Sequence, residues 1–150
     1  MVALARRPAG TVTLTRSVNA PALQAYAAWT DPDLLGRWFA PAPYTAERVE
    51  ADARIGGRWR VDVIDGAGGR HSTAGEYREL VPGRRIVKTC RHQGPGQAVS
   101  GPQTLVTVTF DETGPGSTEV TITHEPAVDP AEALRAGWED CLDKLAALLG

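Results

Sequence analysis

The feature that most constrains the fold is an amphipathic stretch between about Pro130 and Leu149. Asp129 followed by Pro130 is a helix-start signal, a capping carboxylate before a first-turn proline. The apolar face of this helix is long, so it needs a long apolar surface to pack against. The strands predicted upstream can supply that surface. The apolar residues recur at steps of three and four, the spacing of one helical stripe: Leu134, Trp138, Cys141, Leu142, Leu145, Leu148 and Leu149.

The N-terminal part of the chain predicts a strand followed by two short helices. Residues 11–18 alternate, with Val12, Leu14 and Val18 on one face of a half-buried strand. Arg16 falls on that apolar face, so its head group needs a carboxylate, a ligand oxygen or a route to solvent. Helix-start signals follow at residues 19–21 and 31–33. The first helix is expected to bury Leu23, Tyr26, Ala27 and Thr30, and the second to carry Leu34, Leu35 and Trp38.

The middle of the chain predicts six further strands separated by turns. Their short, even spacing is typical of an antiparallel meander rather than of βαβ units. The resulting order is the α+β helix-grip arrangement, in which a curved antiparallel sheet of six or seven strands surrounds a C-terminal helix over residues 131–148. We expect one domain over residues 1–150, with 1–10 as a flexible tail and a loop at 94–102. The strands are predicted at 44–50, 58–64, 71–80, 84–92, 103–110 and 117–125.

Composition limits the classes of partner. The net charge of −2 does not favour nucleic acid or an anionic membrane. The chain has no apolar run near the roughly 20 residues of a membrane span, and its N-terminus lacks the apolar segment of a signal peptide. Cys90 and Cys141 have no metal-like spacing, so we expect them reduced and buried in a cytoplasmic protein. Three histidines on different strands predict no metal site, and no cofactor is expected. The chain is expected to be a monomer or a homodimer.

Several short motifs follow one another along the chain: Asn19-Ala20-Pro21, Ala28-Trp29-Thr30-Asp31-Pro32, Arg37-Trp38-Phe39, the segment from Asp52 to Gly57, Gly75-Glu76-Tyr77 and Gly137-Trp138. Taken in order, they resemble the motifs of the START-like (SRPBCC) superfamily, which has the helix-grip, Bet v 1-like fold. Within it, the chain most resembles the stand-alone bacterial Hsp90-ATPase-activator-homologue-1-like group. The similarity extends from about Thr11 to Leu149 and is more specific for fold than for activity.

The resemblance implies a cavity between the long helix and the sheet. Superfamily members bind lipids, hormones, polyketides or other apolar molecules there, and some catalyse cyclisation or dehydration. An antiparallel sheet with one apolar face curled around a helix is compatible with such a space. The first hypothesis is therefore binding of a small apolar or aromatic molecule for sequestration, transport or self-protection. The alternatives are a cyclase or dehydratase acting on a polyketide-like substrate and, more weakly, a co-chaperone-like interaction module. No paired acid–base groups are evident, which favours binding.

Trp59 and Trp138 are the strongest candidates for walls of this cavity, because one lies on the sheet and the other on the helix. Trp38 is placed near its mouth. His124 shares a strand face with Val120 and Ile122, so it either contacts a ligand or is a satisfied structural histidine. Element and strand parity together give ten candidate ligand-binding residues: Trp38, Trp59, Val61, His71, Tyr77, Cys90, His92, His124, Trp138 and Cys141.

In two of the predicted strands, the pattern does not decide what the polar side chains face or do. Cys90 and His92 lie on the same predicted strand face as Ile86. Two residues along a strand, however, span about 6–7 Å. That separation is too large for direct activation of a nucleophile by a base. In the strand at 71–80, Ala74 and Leu80 indicate one inward face and Tyr77 the other. The orientations of His71, Glu76 and Tyr77 therefore remain open at this level.

Overall fold

The computed structural model describes residues 10–41, 43–93, 103–125 and 131–150. The predicted helix start at 129–130, the loop at 94–102 and residues 1–9 of the expected tail lie outside these ranges. The elements are β1 (Val12–Val18), α1 (Ala22–Thr30), α2 (Pro32–Leu35), β2 (Thr45–Ala51), β3 (Arg58–Ile64), β4 (Arg70–Val81), β5 (Arg85–Gln93), β6 (Thr104–Gly114), β7 (Ser117–Glu125) and α3 (Ala131–Leu149).

The strands form one antiparallel sheet in the order β1-β7-β6-β5-β4-β3-β2. From β2 to β7 the chain runs as a meander, and β1 then adds to the outer edge of β7. The helix α3 packs against β1, so the first strand and the last helix are neighbours. The predicted α+β helix-grip fold, with a seven-stranded antiparallel sheet and a C-terminal helix, is confirmed.

Alternate residues of the central strands build the core, because successive side chains of a strand point to opposite faces. On β3 the inward residues are Trp59, Val61 and Val63, as the sequence predicts. On β6 and β7 the buried residues likewise recur at every second position: Thr104, Val106, Val108 and Phe110, then Thr118, Val120, Ile122 and His124.

The apolar stripe of α3 faces this core. Trp138, Cys141, Leu142 and Leu145 are buried, and the flanking leucines of the stripe are partly buried against the same cluster. Arg16 on β1 meets a carboxylate on the helix, because its Nη2 lies 2.8 Å from Oδ1 of Asp143. The charged head on an otherwise apolar strand face is thereby paired at the partly exposed rim of the helix–sheet interface.

The predicted buried face of α1 was wrong. The structure buries Ala22, Ala25, Ala28 and Trp29, whereas Leu23 is 62% exposed. Small alanine side chains let the helix backbone lie close to the sheet, and the indole of Trp29 then fills the core. Of the predicted face, Tyr26 is partly buried against the core, and the expected core packing of Trp29 is confirmed. The predicted start of α2 is confirmed, since Oδ1 of Asp31 accepts a hydrogen bond from the backbone N–H of Asp33 at 2.9 Å.

A bulge in β4 explains the conflicting parity in that strand. Tyr77 lies opposite Lys88, but Leu80 lies opposite Ile86, so β4 uses three steps where β5 uses two. One extra residue reverses the alternation of a strand, and both Tyr77 and Leu80 can therefore approach the core. The face of β4 that carries His71 and Tyr77 is the inward one before the bulge.

The buried stripe of α3 can be tested at Leu142, which is 1% exposed. Leu142→Ala should lower the free energy of unfolding by about 2–5 kcal/mol, because it leaves a cavity in the core. Leu23→Ala is the matched control, and its exposed side chain should change stability by less than about 0.5 kcal/mol. Chemical denaturation measures both. Equal midpoints for the two variants would show that the stripe does not face a core.

Candidate ligand-binding site

Aromatic rings fill the interior between α3 and the sheet. Phe39 packs edge-on against Trp59 with ring centroids 5.7 Å apart and against Trp138 at 5.6 Å. Trp29 lies 6.0 Å from Trp138 and 4.6 Å from Trp38. The space expected to be open between Trp59 and Trp138 is therefore occupied by Phe39. Sequence periodicity gave no position for this ring, because Phe39 lies in an irregular segment between α2 and β2.

Trp38 lies deep in this interior and not at a mouth. Its side chain is fully buried, and its Nε1–H donates to the backbone oxygen of Ala28 at 2.9 Å. The bond ties the segment after α2 to the end of α1. Val61, another predicted lining residue, is 1% exposed on the inward face of β3.

The position of Trp59 depends on a glycine in the adjacent strand. Trp59 on β3 lies opposite Gly75 on β4, and its Nε1–H donates to the backbone oxygen of Thr89 on β5 at 3.0 Å. A Cβ on Gly75 would lie 1.9 Å from that same oxygen. The missing side chain therefore lets the indole of Trp59 reach across one strand to bond with the next.

Lys88 is a buried residue that the sequence analysis missed. It lies on the inward face of β5, is 1% exposed, and its Nζ has no hydrogen-bond acceptor in the described part of the chain. The ammonium instead faces aromatic rings, 3.9 Å from the ring centroid of Trp59, 5.0 Å from Phe39 and 5.3 Å from Trp29. Attraction between a cation and aromatic faces stabilises such a charge only in part.

The signal for Lys88 was present in the strand pattern. Ile86 and Cys90 mark the inward face of β5, and Lys88 lies between them with the same parity. A lysine in a row of inward residues is unusual, since lysine is among the residues least often fully buried. Parity alone could have placed it, but only the fold shows the three rings around it.

Burial changes the proton affinity of the groups around Lys88. It lowers the pKa of Lys88 itself to about 8, while the neighbouring thiols of Cys90 and Cys141 act in the opposite direction. Burial raises the pKa of Cys90 to about 11 and that of Cys141 to about 12, so both thiols are neutral near pH 7. Burial also raises the pKa of Tyr77 above its usual range. The side chains that the structure describes in this interior therefore supply the ammonium with no anion.

His124 is buried with both ring nitrogens engaged. Nε1–H of Trp138 donates to Nδ1 of His124 at 3.0 Å, and Nε2 of His124 lies 2.7 Å from Oγ1 of Thr104. The hydroxyl of Thr104 donates in turn to the backbone oxygen of Cys90 at 2.9 Å. This series of hydrogen bonds requires that His124 is neutral and carries its proton on Nε2. Consistently, burial and the positive charge of Lys88 lower the pKa of His124 to about 4.

His71 and His92 form a second histidine group at the end of β4 and β5. Their rings stack with centroids 5.2 Å apart, and Tyr44 packs edge-on against His71, also at 5.2 Å. Burial and the neighbouring His71 lower the pKa of His92. Nδ1 of His71 is buried without a hydrogen-bond partner among the described residues. The two histidines are therefore together, but on a more open part of the sheet than His124.

The described ranges contain no cluster of three or more His, Cys, Asp or Glu side chains arranged to hold a metal ion. Nor does any helix within them combine the length and apolar character that a membrane span requires. A surface groove of about 710 Å³ lies between the start of α1 and the β4–β5 and β6 segments, and none of the ten predicted residues lines it. The buried polar groups Lys88 and His124 lie instead in the interior between α3 and the sheet.

These features define a helix-grip protein with an aromatic interior around a buried amine. The chain belongs to the family described as Activator of Hsp90 ATPase homolog 1-like protein, whose model matches residues 19–150. The crystal structure of a Chromobacterium violaceum protein is 32% identical and has a TM-score of 0.83, with 93% of this chain and 97% of that chain covered.

Other solved structures extend the similarity. The AHSA1 protein of Silicibacter pomeroyi is 21% identical with a TM-score of 0.82, covering 93% of this chain and 97% of that chain, and shows the shared fold. DynU16, a protein in the dynemicin biosynthetic locus, is 27% identical with a TM-score of 0.74. That match covers 95% of this chain but 48% of DynU16. No curated protein matches the sequence.

The contact at Gly75 predicts a steric effect on the site. Gly75→Ala should destabilise the protein by about 1–3 kcal/mol, the usual range for overpacking, because the backbone of Thr89 must move. The change should also alter the near-ultraviolet circular dichroism of Trp59. Gly66→Ala is the control, since a Cβ there meets nothing within 4 Å. A Gly75→Ala protein with unchanged stability and spectrum would contradict the close approach.

The burial of Lys88 predicts a pH-dependent stability. Its pKa falls from an ordinary 10.5 to about 8 on folding, so the unfolded chain binds more protons between these values. Below about pH 8 both states are protonated, and the folded protein bears the full cost of the buried charge. Lys88→Met should therefore raise the free energy of unfolding at neutral pH by about 1–3 kcal/mol.

The stability gained by Lys88→Met should shrink as the pH rises from about 8 to 10.5, because the wild type then folds with a neutral amine. Urea denaturation over this range measures the difference. Lys144→Met is the control, since the ammonium of Lys144 bonds to the backbone oxygens of Ala40 and Tyr44 at 2.7 and 3.1 Å. Its loss should lower stability. A difference between wild type and Lys88→Met that does not change with pH would refute the assignment.

Proposed function

We propose that this protein binds a small apolar or aromatic molecule in the interior between α3 and the sheet. The observation that carries the proposal is a set of buried polar atoms without partners among the described residues. Nε1 of Trp29, the hydroxyl of Tyr77 and Nζ of Lys88 all belong to side chains with almost no exposure. Buried polar groups in folded proteins are nearly always hydrogen-bonded, so several unpaired ones in one aromatic interior suggest a place for ligand atoms.

Phe39 is the ring that a ligand would displace. It lies between Trp59 and Trp138, it is 8% exposed, and its backbone belongs to no helix or strand. A flat ligand in its place would meet the same two indoles with edge-to-face geometry, an arrangement that aromatic pairs favour. Burial of apolar surface would then supply most of the affinity. Sequestration, transport and self-protection all require this kind of reversible binding.

Catalysis is a second candidate function, and the similarity to DynU16 favours it. That protein belongs to a biosynthetic locus, where an interior of this kind could act on a polyketide-like substrate. The acid–base groups available for such a reaction are limited. Both nitrogens of His124 are used within the protein, which leaves Lys88, with its pKa near 8, as the interior group closest to neutrality. Binding without turnover is therefore the better supported function.

The test follows the indole N–H signals of the four tryptophans by NMR while 2-naphthol is added as an aromatic probe. A ligand in the interior should shift the signals of Trp59 and Trp138 most, since Phe39 contacts both rings. Trp138→Phe should weaken binding by about 1–3 kcal/mol, because it removes aromatic contact area and the bond to His124. Native mass spectrometry of the purified protein would show whether a ligand is retained and whether it is chemically changed.

A matched variant separates interior binding from binding in the surface groove. Leu23 lines that groove with an exposed side chain, so Leu23→Ala should leave the affinity of an interior site unchanged. Two results would reject the proposal, because both put the ligand in the surface groove. One is that the probe shifts only the signals of residues 82–85 and 109–112. The other is that Leu23→Ala loses binding while Trp138→Phe keeps it.

A further inference from the structure

The position of Lys88 restricts the chemistry of a ligand in this interior. Its ammonium has three N–H donors and no hydrogen-bond acceptor among the described residues. The salt bridges of the described chain lie elsewhere, and none involves Lys88. A buried charge is normally paired, because leaving it unpaired carries a large desolvation cost.

Among the described residues, the groups that face Lys88 from neighbouring elements are neutral or apolar. Tyr77 of β4, Cys90 of β5, His124 of β7 and Cys141 of α3 all lack charge near neutral pH. The rings of Trp29, Phe39 and Trp59 are further neighbours. An aromatic face attracts the ammonium but accepts only a weak hydrogen bond. Within the described ranges, the interior thus offers the ammonium aromatic walls and no anion.

We propose that the ligand is an aromatic acid, whose ring packs among the indoles and whose carboxylate or acidic phenol oxygen pairs with the ammonium of Lys88. This inference rests on the proposed function and specifies its ligand class. An oxyanion would accept the unused N–H donors in a charge-assisted hydrogen bond, which is stronger than a neutral one. A ligand ring in the place of Phe39 would bring its substituent toward Lys88, because Nζ of Lys88 lies 5.0 Å from the ring centroid of Phe39.

The experiment compares 2-naphthoate with 2-naphthamide, which has the same ring system and a neutral head group. Isothermal titration of the wild type should give about tenfold or greater preference for the naphthoate, the effect of one charged hydrogen bond. Lys88→Met should abolish this preference while still binding the naphthamide. Lys144→Met is the matched control and should keep the preference, because Lys88 and Lys144 are the two lysines of the sequence.

A second measurement does not depend on a variant that folds. With the lysine side chains isotopically labelled, NMR titration of the wild type should show the pKa of Lys88 rising when naphthoate is bound, because a nearby anion favours the ammonium. The signal of Lys144 should not change. Naphthamide should leave both lysines unaffected.

The outcomes separate the two proposals. Binding of both probes with equal affinity, or a preference that persists in Lys88→Met, would overturn the role of Lys88 and leave the interior binding site intact. Failure of both probes to shift the indole signals of Trp59 and Trp138 would overturn both proposals. An unchanged Lys88 pKa in the naphthoate complex would likewise exclude the pairing.

Discussion

The structure depends on burying the apolar stripe of α3 against the inward face of the sheet. Leu142 and Leu145 are almost fully buried only because the strands place alternate side chains over the helix. The pairing of β1 with β7 lets the first strand contact the last helix, and Arg16 meets Asp143 at that seam. A helix held along one side of a sheet leaves an interior whose contents are set by the remaining inward residues.

That interior combines good packing with poor charge compensation. Trp29, Phe39 and Trp59 fill it with rings and so contribute apolar burial. Lys88 then introduces a positive charge for which the rings compensate only in part. A residue that opposes stability in an otherwise consistent core is typical of a functional position. The hydrogen-bonded chain through His124 shows the contrasting case, a buried polar group that the protein satisfies completely.

Membership in the Activator of Hsp90 ATPase homolog 1-like family accounts for the fold but leaves the ligand open. A fold of this kind can hold different inward side chains without a change in the helix or the strand order, so the family alone does not name a ligand. In this chain, the inward side chains place an amine on β5 beside indoles contributed by α1 and β3. The proposed specificity rests on these contacts.

The sequence by itself determined the helix, the antiparallel meander and the inward facing of Trp59, His124 and Trp138, because periodicity is a local property that the backbone geometry imposes. Tertiary structure alone decided how these residues meet. The bulge in β4 reversed the parity after Tyr77, close packing selected the alanine face of α1, and Phe39 entered the interior from an irregular segment. Each outcome arises from contacts between residues distant in the chain, where steric fit and burial outweigh local preference.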